Sequence, residues 1–183
     1  MVEKIALICI DMQKEYFAEG RPLKVPTGEA VLEKVNRLLA ISRRKNLLIF
    51  HVRHVSRDPN DETFRTGSPF TDFVYPVPSG ELAITKNTPG TFHSTTIDSI
   101  LKENHITSIA ICGLLSFMCC DTTAREAHAR GYKVYFIKDA MAALDIGSLP
   151  AQRVHEVTCA VQGWMFSTPI LTNDFISDIL DSQ

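Results

Sequence analysis

One stretch of this 183-residue chain combines a potential nucleophile with local structure that could activate it: Gly113-Leu114-Leu115-Ser116-Phe117-Met118-Cys119-Cys120-Asp121-Thr122-Thr123-Ala124-Arg125-Glu126-Ala127. Residues 106 to 112 form an apolar run of strand length, and Thr122 to Arg130 carries good helix formers that stop at Gly131, a plausible C-cap. Cys119 therefore falls in or just before a first helical turn, where free backbone N–H groups and the positive end of the helix dipole favour the nucleophilic thiolate. Free cysteines more often serve as small buried hydrophobes, so this reading needs partners. Asp11 is one candidate, because it ends the apolar run Ile5 to Ile10 and so places a carboxylate at the carboxyl end of a central strand; it equally suits a helix N-cap or a loop. Lys86, closing the strand-like segment Leu82-Ala83-Ile84-Thr85, is the other.

Together these residues resemble a known family. The Asp11-Met12-Gln13 step, the segment Lys86-Asn87-Thr88-Pro89-Gly90-Thr91-Phe92 with Thr95 beyond it, and the block from Gly113 to Ala127 are similar to the isochorismatase-like cysteine hydrolases. Nicotinamidases, N-carbamoylsarcosine amidohydrolases and ureidoacrylate amidohydrolases belong to that group. The resemblance runs from Val2 to about Asp174, through Gly131-Tyr132-Lys133-Val134 and Asp139-Ala140. It implies one domain over residues 1–183, built as a three-layer α/β/α, Rossmann-like, six-stranded parallel sheet in the order 3-2-1-4-5-6.

The resemblance also implies a mechanism. Asp11 would take the proton of Cys119, the Lys86 ammonium would hold the Asp11 carboxylate and stabilise the thiolate, and the thiolate would attack a carbonyl carbon. The oxyanion would meet the backbone N–H groups of Leu115 and Cys119, with a cis peptide at Leu114-Leu115. Ammonia or an amine would leave, and water activated by Asp11 would release the acyl group from a thioester. The thiol of Cys119 is expected to ionise more easily than a free cysteine, through the helix N-terminus and Lys86, with Asp11 opposing. Relatives form dimers or larger assemblies, so a homodimer or homotetramer is expected.

Candidates for the pocket of a small amide or carbamoyl substrate are Gln13, Tyr16, Phe17, Phe64 and Leu114, with Tyr16 aligning best to an aromatic that packs on the substrate in the resembling enzymes. Residues 56 to 80 are rich in Pro, Asp, Ser and Gly and are the candidate for a mobile lid or binding loop. Their aromatics, Phe64, Phe70, Phe73 and Tyr75, equally suit anchoring that loop to its own domain or an oligomer interface. Cys120 stands where the family has a small apolar residue, so packing is its simplest role; a Cys119–Cys120 disulfide would need a strained ring.

Departures from the family narrow the activity. True isochorismatases carry glycine at the nucleophile position, so vinyl-ether hydrolysis is not expected. Metal-binding nicotinamidases carry Asp-x-His after strand two, whereas Ile49 precedes His51 here, and His54 is not obviously placed to complete a set; no metal or other cofactor is expected. His51 and His54 read more simply as hydrogen-bonded structural residues. Two other classes stay open: a binding or scaffold protein with a vestigial triad, and a thiol redox protein using Cys119 and Cys120.

Composition sets the outer bounds. The hydrophobic content of 45% supports a sizeable core, and a net charge of −2 gives no reason to expect a nucleic-acid or anionic-membrane partner. The basic run Arg43-Arg44-Lys45 reads as a solvated helix end. Five cysteines, an odd count with no Cys-x-x-Cys pair, suit a reducing compartment, and a cytoplasmic location is expected. Glu3 and Lys4 interrupt any leader-like start, and no apolar run reaches membrane-spanning length. Strands are expected over 4–10, 47–52, 82–85, 106–112, 132–137 and 169–171, and helices over about 28–45, 95–103, from near 119 onward, and 150–164, with a short helix closing the chain. Such alternation implies a mostly parallel sheet covered on both faces.

Overall fold

The computed structural model describes residues 3–181; residues 1–2 and 182–183 of the expected 1–183 domain lie outside the described residues. Six parallel strands form one sheet: β1 (Ile5–Ile10), β2 (Leu48–His54), β3 (Leu82–Lys86), β4 (Ser108–Leu114), β5 (Lys133–Ala142) and β6 (Thr168–Ile170). Their order is β3-β2-β1-β4-β5-β6, as expected. Helices α1 (Gly28–Arg44), α2 (Ile97–Glu103), α3 (Asp121–Ala129) and α4 (Ala151–Val161) connect them, and a last turn, Thr172–Asp174, runs on to Leu180. Among the described residues, no helix is long and apolar enough to cross a membrane.

The sheet is buried on both faces because its central strands are apolar on both. Every residue of β1 and β4 is buried, as expected of parallel strands covered by helices on either side. On one face Leu7 and Cys9 pack with Val35, Leu38 and Leu39 of α1 and with Tyr135 and Phe175. On the other, Ile8 and Ile10 pack with Ile97 and Leu101 of α2, Ala124 and Ala127 of α3, and Phe136. The α1 positions Val31, Val35, Leu38 and Leu39 follow the spacing of one helical face.

Strand order reverses between β1 and β4, which makes the carboxyl ends of these two strands a topological switch point. The strands approach very closely there. Gly113 has φ 119°, and a Cβ at that position would lie 2.0 Å from the Ile10 carbonyl oxygen. Only glycine tolerates both the dihedral and the approach.

Some boundaries differ from expectation for identifiable reasons. β5 continues to Ala142 rather than stopping at Ile137, past a register shift opposite Ile111 and Gly113. Lys138 and Asp139 interrupt the apolar pattern there, and Asp139 accepts from the Thr172 N–H (2.7 Å) and hydroxyl (2.8 Å). A π-helical turn, Ser116–Cys120, precedes α3, so of the two expected positions for Cys119 the one just before the regular helix is found. Another π-helical turn, Gln162–Phe166, takes the end of the helix expected over 150–164.

Gly113→Ala is expected to lower stability by about 3 kcal/mol, since the added methyl meets backbone and the dihedral becomes strained. Denaturant unfolding measures this; a midpoint equal to that of the unaltered protein would refute the close-approach account.

Candidate active site

Asp11 directly follows β1, and its N–H continues the ladder to β2 by donating to the Val52 carbonyl at 2.8 Å. Its φ of 51° is a left-handed conformation that aspartate adopts more readily than most residues. Lys86 ends β3, paired in register with His54 of β2. Cys119 lies in the π-helical turn after β4. Three strand ends thus deliver three side chains to one point, with β2 and β1 lying between β3 and β4.

The three meet at the lysine ammonium. Lys86 Nζ donates to Asp11 Oδ2 at 2.7 Å, to the Thr88 carbonyl at 3.3 Å and to Cys119 Sγ at 3.2 Å, which uses all three of its protons. The Asp11 and Lys86 side chains are both 0% exposed. Asp11 Oδ1 is buried without a hydrogen-bond partner, so one carboxylate oxygen is free to accept a proton.

Burial pushes the Lys86 pKa down, but the attraction of Asp11 outweighs it and raises the pKa, so the ammonium persists. For Cys119 burial and the nearby Asp11 carboxylate together outweigh Lys86, and the thiol is pushed well up. This reverses the expectation of an easily ionised thiol. Cys119 is 6% exposed, α3 starts two residues later, and the lysine sits closer to the carboxylate than to the sulfur. Both shifts favour the protonated form, an ammonium on Lys86 and a neutral thiol on Cys119.

The Leu115 carbonyl accepts from the N–H groups of Met118 (3.1 Å) and Cys120 (3.2 Å), but not from the Cys119 N–H between them. The Leu114–Leu115 peptide is cis. Cys120 is fully buried in the core on the α2 and α3 face, where it acts as packing.

The pocket candidates divide. Tyr16 is buried, its pKa raised well above the ordinary value by burial and then by Cys119 and Asp11. Its ring meets Phe64 edge-on at 5.3 Å, and Phe64 meets His54 at 5.2 Å. Gln13 is a clamp: its amide donates to the His54 and Thr71 carbonyls, both at 2.9 Å, and accepts from the His54 N–H at 2.7 Å. Phe17 lies against the start of α1, where a Cβ on Gly28 would be 3.2 Å from its ring. Leu114 is a fully buried core residue on the α1 face.

The long segment over 56–80 is fastened down. Met12 and Lys14 exchange backbone hydrogen bonds with Val74 and Asp72 (both 2.9 Å), and Gln13 bridges to Phe73. The buried Glu15 carboxylate holds Arg21 at 2.8 and 3.1 Å, and Arg21 in turn donates to the Glu62 carbonyl at 2.6 Å and covers the Phe70 ring. The anchoring reading of this loop and its aromatics is therefore the one the contacts support. Its fastenings are single polar residues far apart in sequence, which no periodicity reveals.

His51 is hydrogen-bonded as expected, to Glu81 (2.6 Å) and Tyr75 (3.1 Å). His54 is hydrogen-bonded too, to the Thr88 backbone, although its Nδ1 is buried without a partner; burial and then Lys86 hold its pKa below the ordinary value. Among the described residues, no group of three or more His, Cys, Asp or Glu is placed to hold a metal ion.

With this geometry in place, comparison with known proteins is decisive at the level of family. The family model described as the isochorismatase domain matches residues 5–164. The chain belongs to the isochorismatase family. It is 29% identical to the isochorismatase family protein YddQ of Bacillus subtilis, over 93% of this chain and 98% of that one. It is 26% identical to nicotinamidase 3 of Arabidopsis thaliana (84% and 77%) and 30% identical to streptothricin hydrolase of Streptomyces noursei (79% and 57%). The crystal structure of an isochorismatase from Pseudomonas putida is similar with a TM-score of 0.82 and 30% identity, over 93% of this chain and 89% of that one.

Lys86→Met would leave the Asp11 carboxylate buried and unpaired. It is expected to lower stability by about 3–5 kcal/mol, and adding Asp11→Asn should restore much of that loss. Equal unfolding midpoints for Lys86→Met and the unaltered protein would show that the pair carries no such load.

Alkylation of Cys119 by iodoacetamide should keep accelerating as pH rises beyond about 8.5, where a free thiol ionises. The raised folded pKa has a matching stability sign: the unfolded chain loses the proton first, so stability falls as pH climbs past that value. A rate plateau below pH 8 would contradict the neutral resting thiol.

Proposed function

We propose that this protein is a cysteine-dependent amidohydrolase that cleaves a C–N bond of a small amide, carbamoyl or ureido compound through a thioester. The observation that carries this reading is the buried ammonium of Lys86 donating at once to Asp11 and Cys119. A binding pocket or scaffold has no use for a carboxylate, an ammonium and a thiol held in contact. The relatives named nicotinamidase and streptothricin hydrolase support an amide substrate.

Because the thiol rests neutral, attack and proton transfer occur together: Cys119 Sγ bonds to the carbonyl carbon while Asp11 Oδ1 takes its proton. The N–H groups of Leu115 and Cys119 receive the oxyanion. Lys86 stays charged throughout and stabilises the partial negative charge that builds on sulfur while the full charge passes from the Asp11 carboxylate to the oxyanion. Collapse of the tetrahedral intermediate passes the proton to the leaving nitrogen, releasing ammonia or an amine. Asp11, again a carboxylate, then takes a proton from water, whose oxygen attacks the thioester; the acid leaves and the thiol is restored.

A panel of small carboxamides, carbamoyl compounds and ureido acids, assayed for ammonia release, tests the reading. Cys119→Ala should reduce turnover of any substrate found by about 10³-fold or more, with the fold retained, whereas Cys120→Ala should keep activity. Equal loss from both substitutions would sink the single-thiol mechanism, and absence of ammonia release across the panel would count against the amide substrate.

A further inference from the structure

The strongest sequence signal of the chain, Thr122-Thr123-Ala124-Arg125-Glu126-Ala127, supplies no group to the triad. Two of its side chains instead grip the segment that follows Lys86. Thr123, fully buried on α3, accepts from the Thr91 N–H at 3.2 Å and shares a hydrogen bond with the Thr91 hydroxyl at 2.9 Å. One helical turn on, the Glu126 carboxylate accepts from the Phe92 N–H at 3.0 Å. It also lies flat against Gly90, where a Cβ would come within 2.3 Å of it.

These contacts close a loop of structure around the ammonium. The Lys86 head is oriented by three acceptors, and one of them, the Thr88 carbonyl, belongs to the gripped segment. Thr88 is tied forward by its own hydroxyl, which donates to the Gly90 carbonyl at 3.2 Å. The sheet fixes where the Lys86 backbone ends. The helix that begins immediately after the nucleophile turn holds residues 90–92, to which the Thr88 hydroxyl is tied, while His54 also hydrogen-bonds the Thr88 backbone.

We propose that Thr123 and Glu126 are positioning residues of the active site: by clamping residues 90–92 to α3 they hold the Thr88 carbonyl, and through it the Lys86 ammonium, in reach of both Asp11 and Cys119. The proposal rests on the amidohydrolase reading for its kinetic consequence but not for its effect on the thiol. A misplaced ammonium stabilises the developing thiolate and the oxyanion less well, and displacements of about 1 Å at such sites cost on the order of 10²-fold in rate.

The test uses the full chain and two pairs of substitutions, Glu126→Ala against Glu126→Gln and Thr123→Val against Thr123→Ser. The Ala and Val variants should lower kcat about ten- to hundred-fold with little change in KM, and should shift the pH profile of Cys119 alkylation by iodoacetamide upward. The groups facing that thiol are Asp11, Lys86, Tyr16 and Cys120, none of which is altered. The Gln and Ser variants keep an acceptor for Phe92 and Thr91 and should recover most of both effects. Should Glu126→Ala fail to fold, Glu126→Asp keeps the charge while withdrawing the carboxylate from Phe92, and should show the same upward shift. An unchanged alkylation profile in folded variants that have lost the clamp, or failure of Gln and Ser to rescue, would overturn the proposal. If the unaltered protein releases no ammonia from any compound, it is the amidohydrolase reading that fails; the alkylation profile needs no substrate and still decides the role of the clamp.

Discussion

Moving a carboxylate and an ammonium out of water costs several kcal/mol for each ion, and Asp11 and Lys86 are removed from it completely. Their mutual attraction offsets that cost only while the two groups stay at hydrogen-bonding distance, so the surrounding structure has to prevent them from drifting apart. β1, β2 and β3 provide that constraint from below, since Asp11 and Lys86 are the residues at which the outer strands of this trio end. The pair is therefore a costly feature of the interior, and together with burial it sets the charge state of Cys119.

That charge state has a chemical consequence. A thiolate prepared in advance would need a net positive surrounding, which the site lacks because the lysine is already matched by the aspartate. Burial and Asp11 hold the thiol protonated, and one oxygen of Asp11 is left without a hydrogen-bond partner. In the hydrolase mechanism proposed above, nucleophile activation is thereby tied to bond formation with a carbonyl carbon, and a protonated, buried thiol reacts less readily with other electrophiles.

The remaining polar features near the site act as fasteners. Gln13 holds the backbone of His54 on both its N–H and its carbonyl, while Glu15 and Arg21 hold the segment that carries Phe64 and Phe70. Buried polar groups of this kind are costly when unmatched and rigidifying when matched. They fasten the long segment to the body of the domain, where Phe64 meets Tyr16 and His54 edge to face.

Much of this was legible in the chain itself. Continuous apolar runs mark β1 and β4 because strands buried on both faces need them, and the i, i+4, i+7 and i+8 spacing marks α1. The triad residues stand out because each is a reactive or charged side chain at the end of an apolar run, and the order of the strands followed from the resemblance those residues carry. Tertiary structure decided the rest. Whether Cys119 ionises depends on the balance of burial, Asp11 and Lys86, groups 108 and 33 residues away in sequence but in contact in space; no local pattern contains that balance. Gln13, Phe17 and Leu114 follow the same rule: they lie near the triad in sequence, yet backbone carbonyls, the start of α1 and the core claim them. Sequence determines which side chains are present at the strand ends, because hydrophobic periodicity is local. Only the packed structure determines what each of them faces, because electrostatics and hydrogen bonding act through space.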